Sequence, residues 1–217
     1  EYIRRMHAAL NEGRDLAEEF ARGREDLVRV IHHSKNGGLG AALRTGFKAA
    51  KGDIVIPLDI DLSYSVDHID RLLAAQRECG AELVLLSPYM RAGKVSQVPL
   101  HRLLFSRPAN TILSWALGRR LHTSTGMVRS YSRGLLERLS LYSSGMEINL
   151  EALHKSILAG ARVKEIPAHL AWEHRTGVAE RAFRVSPRKL ARQLLLVMHY
   201  AWLFRRVRPL AMKGVIP

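Results

Sequence analysis

The chain has 217 residues, 47% of them hydrophobic and 25% charged, which is the composition of a globular protein with a substantial core and not of a disordered chain. Its single cysteine, Cys79, excludes an internal disulfide framework, and we expect this thiol to be buried as a small hydrophobe. The formal net charge of +14 favours negatively charged partners: nucleic acid, anionic lipid or phosphorylated substrates. No apolar run reaches the roughly 18 residues needed to span a bilayer.

The first part of the chain alternates between helical and extended patterns. Helices are predicted at residues 2–10, 15–22, 39–50 and 66–79, and strands at residues 27–31, 53–58 and 82–86. Such alternation indicates an α/β fold in which helices flank a mainly parallel sheet. Pro57 cannot donate a ladder hydrogen bond, so we expect its strand to end or bulge there.

After Ser87 the alternation weakens. The predicted elements there are one or two helices over residues 100–118, an extended segment at 123–131, a helix at 146–159, a strand at 162–167 and a helix at 189–206. The last helix has an apolar face and a basic end, a pattern typical of helices that lie along a membrane surface. The alternative is a helix that packs on the domain and carries a cationic tail. We therefore divide the chain into a domain of residues 1–187 and a C-terminal helix and tail of residues 188–217.

Two acids, Asp59 and Asp61, follow directly on the strand predicted at residues 53–58. A strand end holds side chains at the edge of a sheet, where α/β folds usually bind their ligands. Two carboxylates at that edge can bind Mg²⁺ or Mn²⁺, and the cation can neutralise a diphosphate. The same Asp-x-Asp pattern also occurs in solvated turns, and the pair alone does not choose between these interpretations.

Three blocks around these acids stand in a specific order: residues 36–46 (Asn-Gly-Gly-Leu-Gly-Ala-Ala-Leu-Arg-Thr-Gly), 50–53 (Ala-Lys-Gly-Asp) and 58–62 (Leu-Asp-Ile-Asp-Leu). Their order and spacing resemble the family 2 glycosyltransferases, and within them the polyprenol-phosphate (dolichol-phosphate) mannose or glucose synthases. The resemblance continues to Gly177 through residues 87–89 (Ser-Pro-Tyr), 106–107 (Ser-Arg), 125–127 (Thr-Gly-Met) and 165–167 (Glu-Ile-Pro). It implies a GT-A-like fold, with a nucleotide-binding sheet that carries the metal aspartates at its edge.

On the donor side, the resemblance implies that Asp59 and Asp61 contact Mg²⁺ or Mn²⁺ and the ribose and diphosphate of a nucleotide sugar. Asp53 stands where the family has a structural or donor-side acid: either it helps to bind the donor, or it only caps the start of the strand. Asn36, Gly38 and Gly40 open a helix. Its free N–H groups either face the phosphates or base of the donor, or the glycines simply permit a tight turn.

On the acceptor side, the resemblance implies a group of residues that contact a polyprenyl phosphate: Arg102, Ser106, Arg107, Thr125 and Arg129. An arginine fork can bind two phosphate oxygens at once, which suits this role. A solvated helix face is the alternative for the two arginines of the 100–118 helix. The predicted catalytic residues are Asp61, Arg102 and Arg175, because a cation and arginines can stabilise a departing diphosphate.

The resemblance thus implies an inverting transferase that moves mannose or glucose from a GDP- or UDP-hexose to a polyprenyl phosphate. The phosphate oxygen of the acceptor is already an anion, so positioning replaces a strong general base. A lipid acceptor requires peripheral membrane contact, and we predict a location at the cytoplasmic face of a membrane. No nucleic-acid partner is expected, because the chain has no recognisable binding motif for one.

Three departures from the family pattern keep two alternatives open. The Pro-x-Tyr-Asn-Glu-like motif that opens the family has no counterpart, so we expect the chain to lack the first β-α-β portion. Ser63 stands where the family often has Gln, and Ala179-Glu180 stands where it has Ser-Lys. One alternative is an inactive or truncated glycosyltransferase-like paralogue, and the other is a basic nucleic-acid-binding protein.

Overall fold

The computed structural model describes residues 13–59, 63–171, 195 and 197–206, with the side chains of His101 and Arg102 excepted. The chain forms two compact units, Glu1–Gly37 and Gly38–Pro217. The helix predicted at residues 2–10 and the residues Asp61 and Arg175 lie outside the described part.

In the first unit, helix α1 (residues 13–21) confirms the helix predicted at 15–22. The strand predicted at residues 27–31 is wrong: these residues form a turn and an irregular segment. Leu27 is 81% exposed and Ile31 is 50% exposed, so the apolar pattern is not buried. A strand needs a neighbour to take up its N–H and C=O groups. The described residues of the first unit include no second strand that provides one.

The second unit contains the remaining helices and strands. Its helices are α2 (Gly38–Ala49), α3 (Asp67–Cys79), α4 (Leu100–Leu117), α5 (Arg133–Arg138), α6 (Ile148–Leu158) and α7 (residues 197–206). Its strands are β1 (Ile54–Val55), β2 (Leu83–Ser87), β3 (Lys94–Ser96), β4 (Arg129–Ser132), β5 (Val163–Pro167) and β6 (His169–Ala171). Most predicted elements are confirmed, and β1 is shorter than predicted because it ends two residues before Pro57.

The main sheet is mixed and has the strand order β1-β4-β2-β5. Strand β4 runs antiparallel to both β1 and β2, whereas β2 and β5 are parallel. Three of the four strands therefore point in one direction, and β4 is inserted against them. A second, small sheet pairs β3 with β6 in parallel. The α/β class is confirmed, and the reversed strand β4 was not predicted.

The five residues of β2 are all buried, because helices cover both faces of the sheet. Side chains alternate between the two faces of a strand. Leu83 and Leu85 accordingly belong to one core cluster, together with apolar residues of α4, α6 and α7. Val84 and Leu86 belong to a second cluster with residues of α3. This layering fixes the carboxyl ends of β1, β2 and β5, from which the candidate site is built.

Helix α7 packs into this core through Ala201 and Phe204. The ring of Phe204 lies 3.9 Å from that of His154 on α6, centroid to centroid. Burial, with a smaller effect of Lys155, lowers the pKa of His154 to about 4, so the imidazole packs as a neutral ring at neutral pH. Among the described residues, no helix has both the length and the hydrophobicity that crossing a bilayer requires.

Cys79 is exposed, so its predicted burial is wrong. It is the last residue of α3, next to Gly80, whose left-handed conformation ends the helix. The helical pattern alone does not show that the buried face of α3 stops before this residue.

Candidate active site

Asp59 lies beyond the carboxyl end of β1 and is half-buried. The buried side chain of Tyr64, which is only 9% exposed, indicates which charged groups lie near Asp59. Burial raises the pKa of Tyr64, the charges of Tyr89 and Asp59 raise it further, and the Arg129 guanidinium lowers it. Tyr64 therefore lies within electrostatic range of each of the other three side chains. The Tyr64 hydroxyl stays protonated at neutral pH and can donate a hydrogen bond, but it cannot act as a base there.

The segment after residues 60–62 is held firmly by its neighbours. The Ala171 N–H donates to the Ser63 carbonyl at 2.9 Å. His68 is buried beside the Tyr64 ring, with 5.7 Å between centroids. Its Nε2 accepts the His169 N–H at 3.1 Å, which leaves the proton on Nδ1 for the Ser65 carbonyl.

Of the two residues predicted to bind the metal, the structure describes Asp59 but not Asp61. Among the described residues, no group of three or more His, Cys, Asp or Glu side chains is placed to share one ion. The carboxylate of Asp59 is nevertheless the hard oxygen ligand that Mg²⁺ or Mn²⁺ takes.

Asp53 lies at the other end of β1, away from Asp59. Its side chain is exposed, and its carbonyl accepts the Arg133 N–H at 2.8 Å. The Arg133 guanidinium donates to the carbonyls of Ala50 and Gly52, at 2.7 Å each. The donor-binding role of Asp53 stays a prediction. The residue itself belongs to the turn that starts the strand.

Gly38 and Gly40 open α2 as predicted, but their neighbours are protein backbone. The Gly40 N–H donates to the Ser144 carbonyl at 2.8 Å. A Cβ at Gly40 would lie 2.0 Å from the Ser143 carbonyl oxygen, and one at Gly38 (φ +81°) would lie 2.4 Å from that of Ser144. The Gly40 N–H is thus already used, which contradicts its predicted role toward phosphate. Asn36 is exposed and belongs to the first unit.

We expect Gly40→Ala to destabilise the protein by about 1–3 kcal/mol, because the added methyl overlaps backbone atoms that cannot move freely. Gly46→Ala is the matched control on the same helix. Nothing lies within 4 Å of a Cβ there, so we expect a gain of about 0.5–1 kcal/mol. Thermal denaturation of both variants measures the difference. Equal stability would show that the 143–144 segment does not pack against this turn.

Three of the predicted acceptor residues, Arg102, Ser106 and Arg107, belong to helix α4. The Tyr89 hydroxyl donates to Ser106 Oγ at 2.8 Å. The Arg107 guanidinium carbon lies 5.7 Å from the centroid of the Tyr89 ring. Asn110, one turn further on, donates to the Ser106 carbonyl at 2.9 Å and accepts the Ser124 N–H at 2.7 Å. Arg102 belongs to the same helix, although its side chain is not described.

The loop of residues 122–127, which we call the acceptor loop, is anchored from several elements. The Glu165 carboxylate on β5 accepts the Thr123 N–H at 2.8 Å and the His122 N–H at 2.9 Å. The hydroxyls of Ser87 and Thr123 are bonded at 2.8 Å. Thr125 is exposed on this loop. The anchoring roles of Glu165 and Asn110 were not predicted, since their partners are far away in the sequence.

Arg129 is buried, with 1% of its surface exposed. Its guanidinium donates to the carbonyls of Asn149 at 2.9 Å, Ser124 at 3.4 Å and, more closely, Gly126. The side chain supports the acceptor loop from inside the protein, and the contact of Arg129 with the acceptor stays a prediction.

A cavity of about 380 Å³ lies between α2, β1 and α5. Its wall combines Arg44, Lys48 and Arg133 with an apolar floor that includes Phe47 and Val55. None of its lining residues is a predicted site residue. The cavity is on the Asp53 side of β1, away from the site around Asp59.

Comparisons with known proteins match most of the chain. The family model for glycosyl transferase family 2 matches residues 11–140. The polyprenol monophosphomannose synthase of Mycolicibacterium smegmatis is 34% identical over 70% of this chain and 59% of its own length. The dolichol-phosphate mannosyltransferase of Pyrococcus furiosus is 30% identical over 64% of this chain and 40% of its own length. The chain therefore spans roughly half the length of these curated relatives.

Solved structures give the same fold at lower identity. The glucosyl-3-phosphoglycerate synthase of Mycobacterium tuberculosis, in complex with Mn²⁺, UDP and glucosyl-3-phosphoglycerate, has a TM-score of 0.51 at 19% identity, over 76% of this chain and 55% of its own. The same enzyme with phosphoglyceric acid also has a TM-score of 0.51 at 19% identity, over 80% of this chain and 57% of its own. These likenesses show a GT-A fold.

Proposed function

This chain belongs to glycosyl transferase family 2, and from that premise we propose that it transfers a hexose from a nucleotide sugar to a polyprenyl phosphate. One observation carries the proposal: Asp59 follows β1, and Tyr89, whose ring contacts Arg107, follows β2, and these two strands run in the same direction in one sheet. An acid for a metal-bound diphosphate and an arginine for a phosphate thus share one edge of the sheet. The names of the two curated relatives support mannose as the sugar and a polyprenol or dolichol phosphate as the acceptor.

On the donor side, we assign Asp59 and Asp61 to a bound Mg²⁺ or Mn²⁺. The carboxylate of Asp59 is half-buried, and its charge raises the pKa of Tyr64. Such a carboxylate suits a hard cation. Such a cation supplies Lewis-acid stabilisation of the departing nucleoside diphosphate. The protonated Tyr64 hydroxyl lies at the same edge and can donate a hydrogen bond to the nucleotide sugar.

On the acceptor side, Ser106, Arg107 and Thr125 bind the phosphate of the lipid, and the proposal extends to Arg102 and Arg175. A phosphate oxygen of the acceptor attacks the anomeric carbon. The new bond joins that oxygen to the carbon, while the bond from the carbon to the diphosphate oxygen of the donor breaks. Attack from the side opposite the leaving group inverts the anomeric centre. Positioning and electrostatic stabilisation supply the catalysis, since the attacking oxygen is already an anion.

A lipid acceptor brings the protein to a membrane surface, and we place that surface on the cytoplasmic side. Helices α4 and α7 carry exposed large apolar side chains: Leu100, Leu104, Phe105, Ile112, Trp115, Met198 and Trp202. Arg205 lies over the Trp115 ring at 3.8 Å, and Arg206 lies over the Trp202 ring at 4.6 Å. Exposed apolar side chains next to cations suit the interface of an anionic bilayer.

We expect the double substitution of Trp115 and Trp202 by Ser to reduce binding to anionic vesicles at least about tenfold, since each large apolar side chain contributes about 1.5–3 kcal/mol when it is buried. Vesicle co-sedimentation measures the effect. Tyr142→Ser is the matched control, because Tyr142 is equally exposed but lies outside α4 and α7. Equal losses in both proteins, or none, would contradict the membrane contact.

A transfer assay tests the proposed function directly. The chain is incubated with Mn²⁺, GDP-mannose or UDP-glucose, and a short-chain polyprenyl phosphate that needs no bilayer. We expect a glycosyl phosphate product and release of the nucleoside diphosphate, with one donor preferred. Hydrolysis of the donor without glycosylated lipid would point to a different acceptor, and no turnover of either donor would contradict the proposal.

A further inference from the structure

Tyr89 contacts two of the residues assigned to the acceptor side of the candidate site. It follows β2 by two residues and is half-buried. Its hydroxyl donates to Ser106 Oγ at 2.8 Å, and its ring faces the Arg107 guanidinium at 5.7 Å. One side chain from outside α4 therefore contacts two consecutive residues of that helix.

The hydrogen bond from Tyr89 sets the direction of the Ser106 hydroxyl. Ser106 Oγ accepts from Tyr89 at 2.8 Å and, more weakly, from Asn110 Nδ2 at 3.4 Å. Neither bond uses the proton of Ser106, so this hydroxyl remains a donor. A hydroxyl that accepts a hydrogen bond becomes a better donor in turn. Ser106 is thus prepared to donate to an anion.

The ring of Tyr89 acts on Arg107 in a different way. Arg107 is exposed on α4, and a long cationic side chain in water samples many rotamers. An aromatic face within about 6 Å of a guanidinium attracts it through the ring quadrupole. The ring reduces the number of positions available to Arg107 and leaves the outer N–H groups of the fork for a ligand.

We propose that Tyr89 is the positioning residue that directs Ser106 and Arg107 together at the acceptor phosphate. The inference rests on the proposed function, because it assumes that a phosphate binds beside α4. It assigns the two parts of Tyr89 to separate tasks: the hydroxyl orients Ser106 and the ring orients Arg107. Asp59 and the donor contacts do not depend on it directly.

A double-mutant cycle with Arg107 tests the proposal. Titration calorimetry measures how the chain and its variants bind a short-chain polyprenyl phosphate. We expect Arg107→Met to weaken binding about tenfold or more, Tyr89→Leu about three- to tenfold, and Tyr89→Phe about threefold. Because Tyr89 acts partly through Arg107, the double variant should bind more weakly than the parent by less than the product of the two single effects. Tyr142→Leu, a change at an exposed tyrosine elsewhere, should bind like the parent.

Steady-state kinetics gives the second readout. Tyr89→Leu should raise KM for the lipid phosphate and leave KM for the nucleotide sugar unchanged, whereas a general loss of folding would lower the apparent kcat and change neither KM. If the effects in the cycle multiply fully, or if Tyr89→Leu binds like the parent, the role of Tyr89 is overturned but the proposed function is not. Intact coupling without any sugar transfer would overturn the proposed function alone. Failure of the parent chain to bind the phosphate would overturn both.

Discussion

Replacing Asp61 with Asn is expected to lower kcat/KM for sugar transfer by on the order of 10²–10³-fold, because a cation at a leaving diphosphate contributes several kcal/mol to the transition state. Asn keeps the size of the side chain but removes the negative charge that holds the cation. Asp59→Asn should give a loss of similar size, since both acids are assigned to one ion. The measurement is initial-rate kinetics at saturating Mn²⁺ with the preferred nucleotide sugar.

Asp70→Asn is the control for these two variants. Asp70 is an exposed acid on α3 and is not one of the residues assigned to the site, so we expect parent-like kinetics. A higher Mn²⁺ concentration should partly restore the rate of Asp61→Asn if the ligand set is weakened and not destroyed. An Asp61→Asn variant with the activity of the parent would remove this residue from the site.

Replacing Arg129 with Met is expected to destabilise the fold by about 2–4 kcal/mol, because the buried carbonyls of Asn149, Ser124 and Gly126 lose their donor. Met fills much of the same volume, so a cavity adds little to the loss. Urea denaturation followed by circular dichroism measures the free energy of unfolding. Arg119→Met is the control: Arg119 is exposed, and substitutions at such positions usually stay within about 0.5 kcal/mol.

This experiment also separates the two roles considered for Arg129. A support for the acceptor loop predicts a large loss of stability, with acceptor binding affected only through the loop. A direct acceptor ligand predicts parent-like stability and loss of phosphate binding. The second result would contradict the structural role and confirm the acceptor contact predicted for Arg129 from the sequence.

The contrast between residues 83–87 and 27–31 shows what local sequence can predict of this fold. Both segments are short apolar runs with β-branched residues, and both suggest a strand. Residues 83–87 form one because β4 and β5 bond to both of their edges. Residues 27–31 do not form one in the described structure. Strand formation depends on a partner, which a local pattern does not contain.

The site shows the same division between local and distant information. The position of Asp59 at a strand end follows from the apolar run before it. In contrast, Gly40 is packed against residue 144 and Arg129 donates to residue 149, and neither contact is visible in a local pattern. Composition alone also misleads for Arg129, since arginine is rarely buried without a carboxylate partner. The resemblance therefore gives the order of the candidate residues along the chain, whereas the packing around Gly40 and Arg129 is visible only in the structure.

Titration of nucleotide sugars with and without Mn²⁺ tests the central claim most directly, because it asks whether the two acids hold a cation that binds the diphosphate. Calorimetry is performed with GDP-mannose and UDP-glucose on the parent chain and on Asp61→Ala. The account predicts binding of one donor that requires Mn²⁺ in the parent and disappears in the variant. Equal binding by both proteins, or binding that is unchanged when Mn²⁺ is left out, would contradict it.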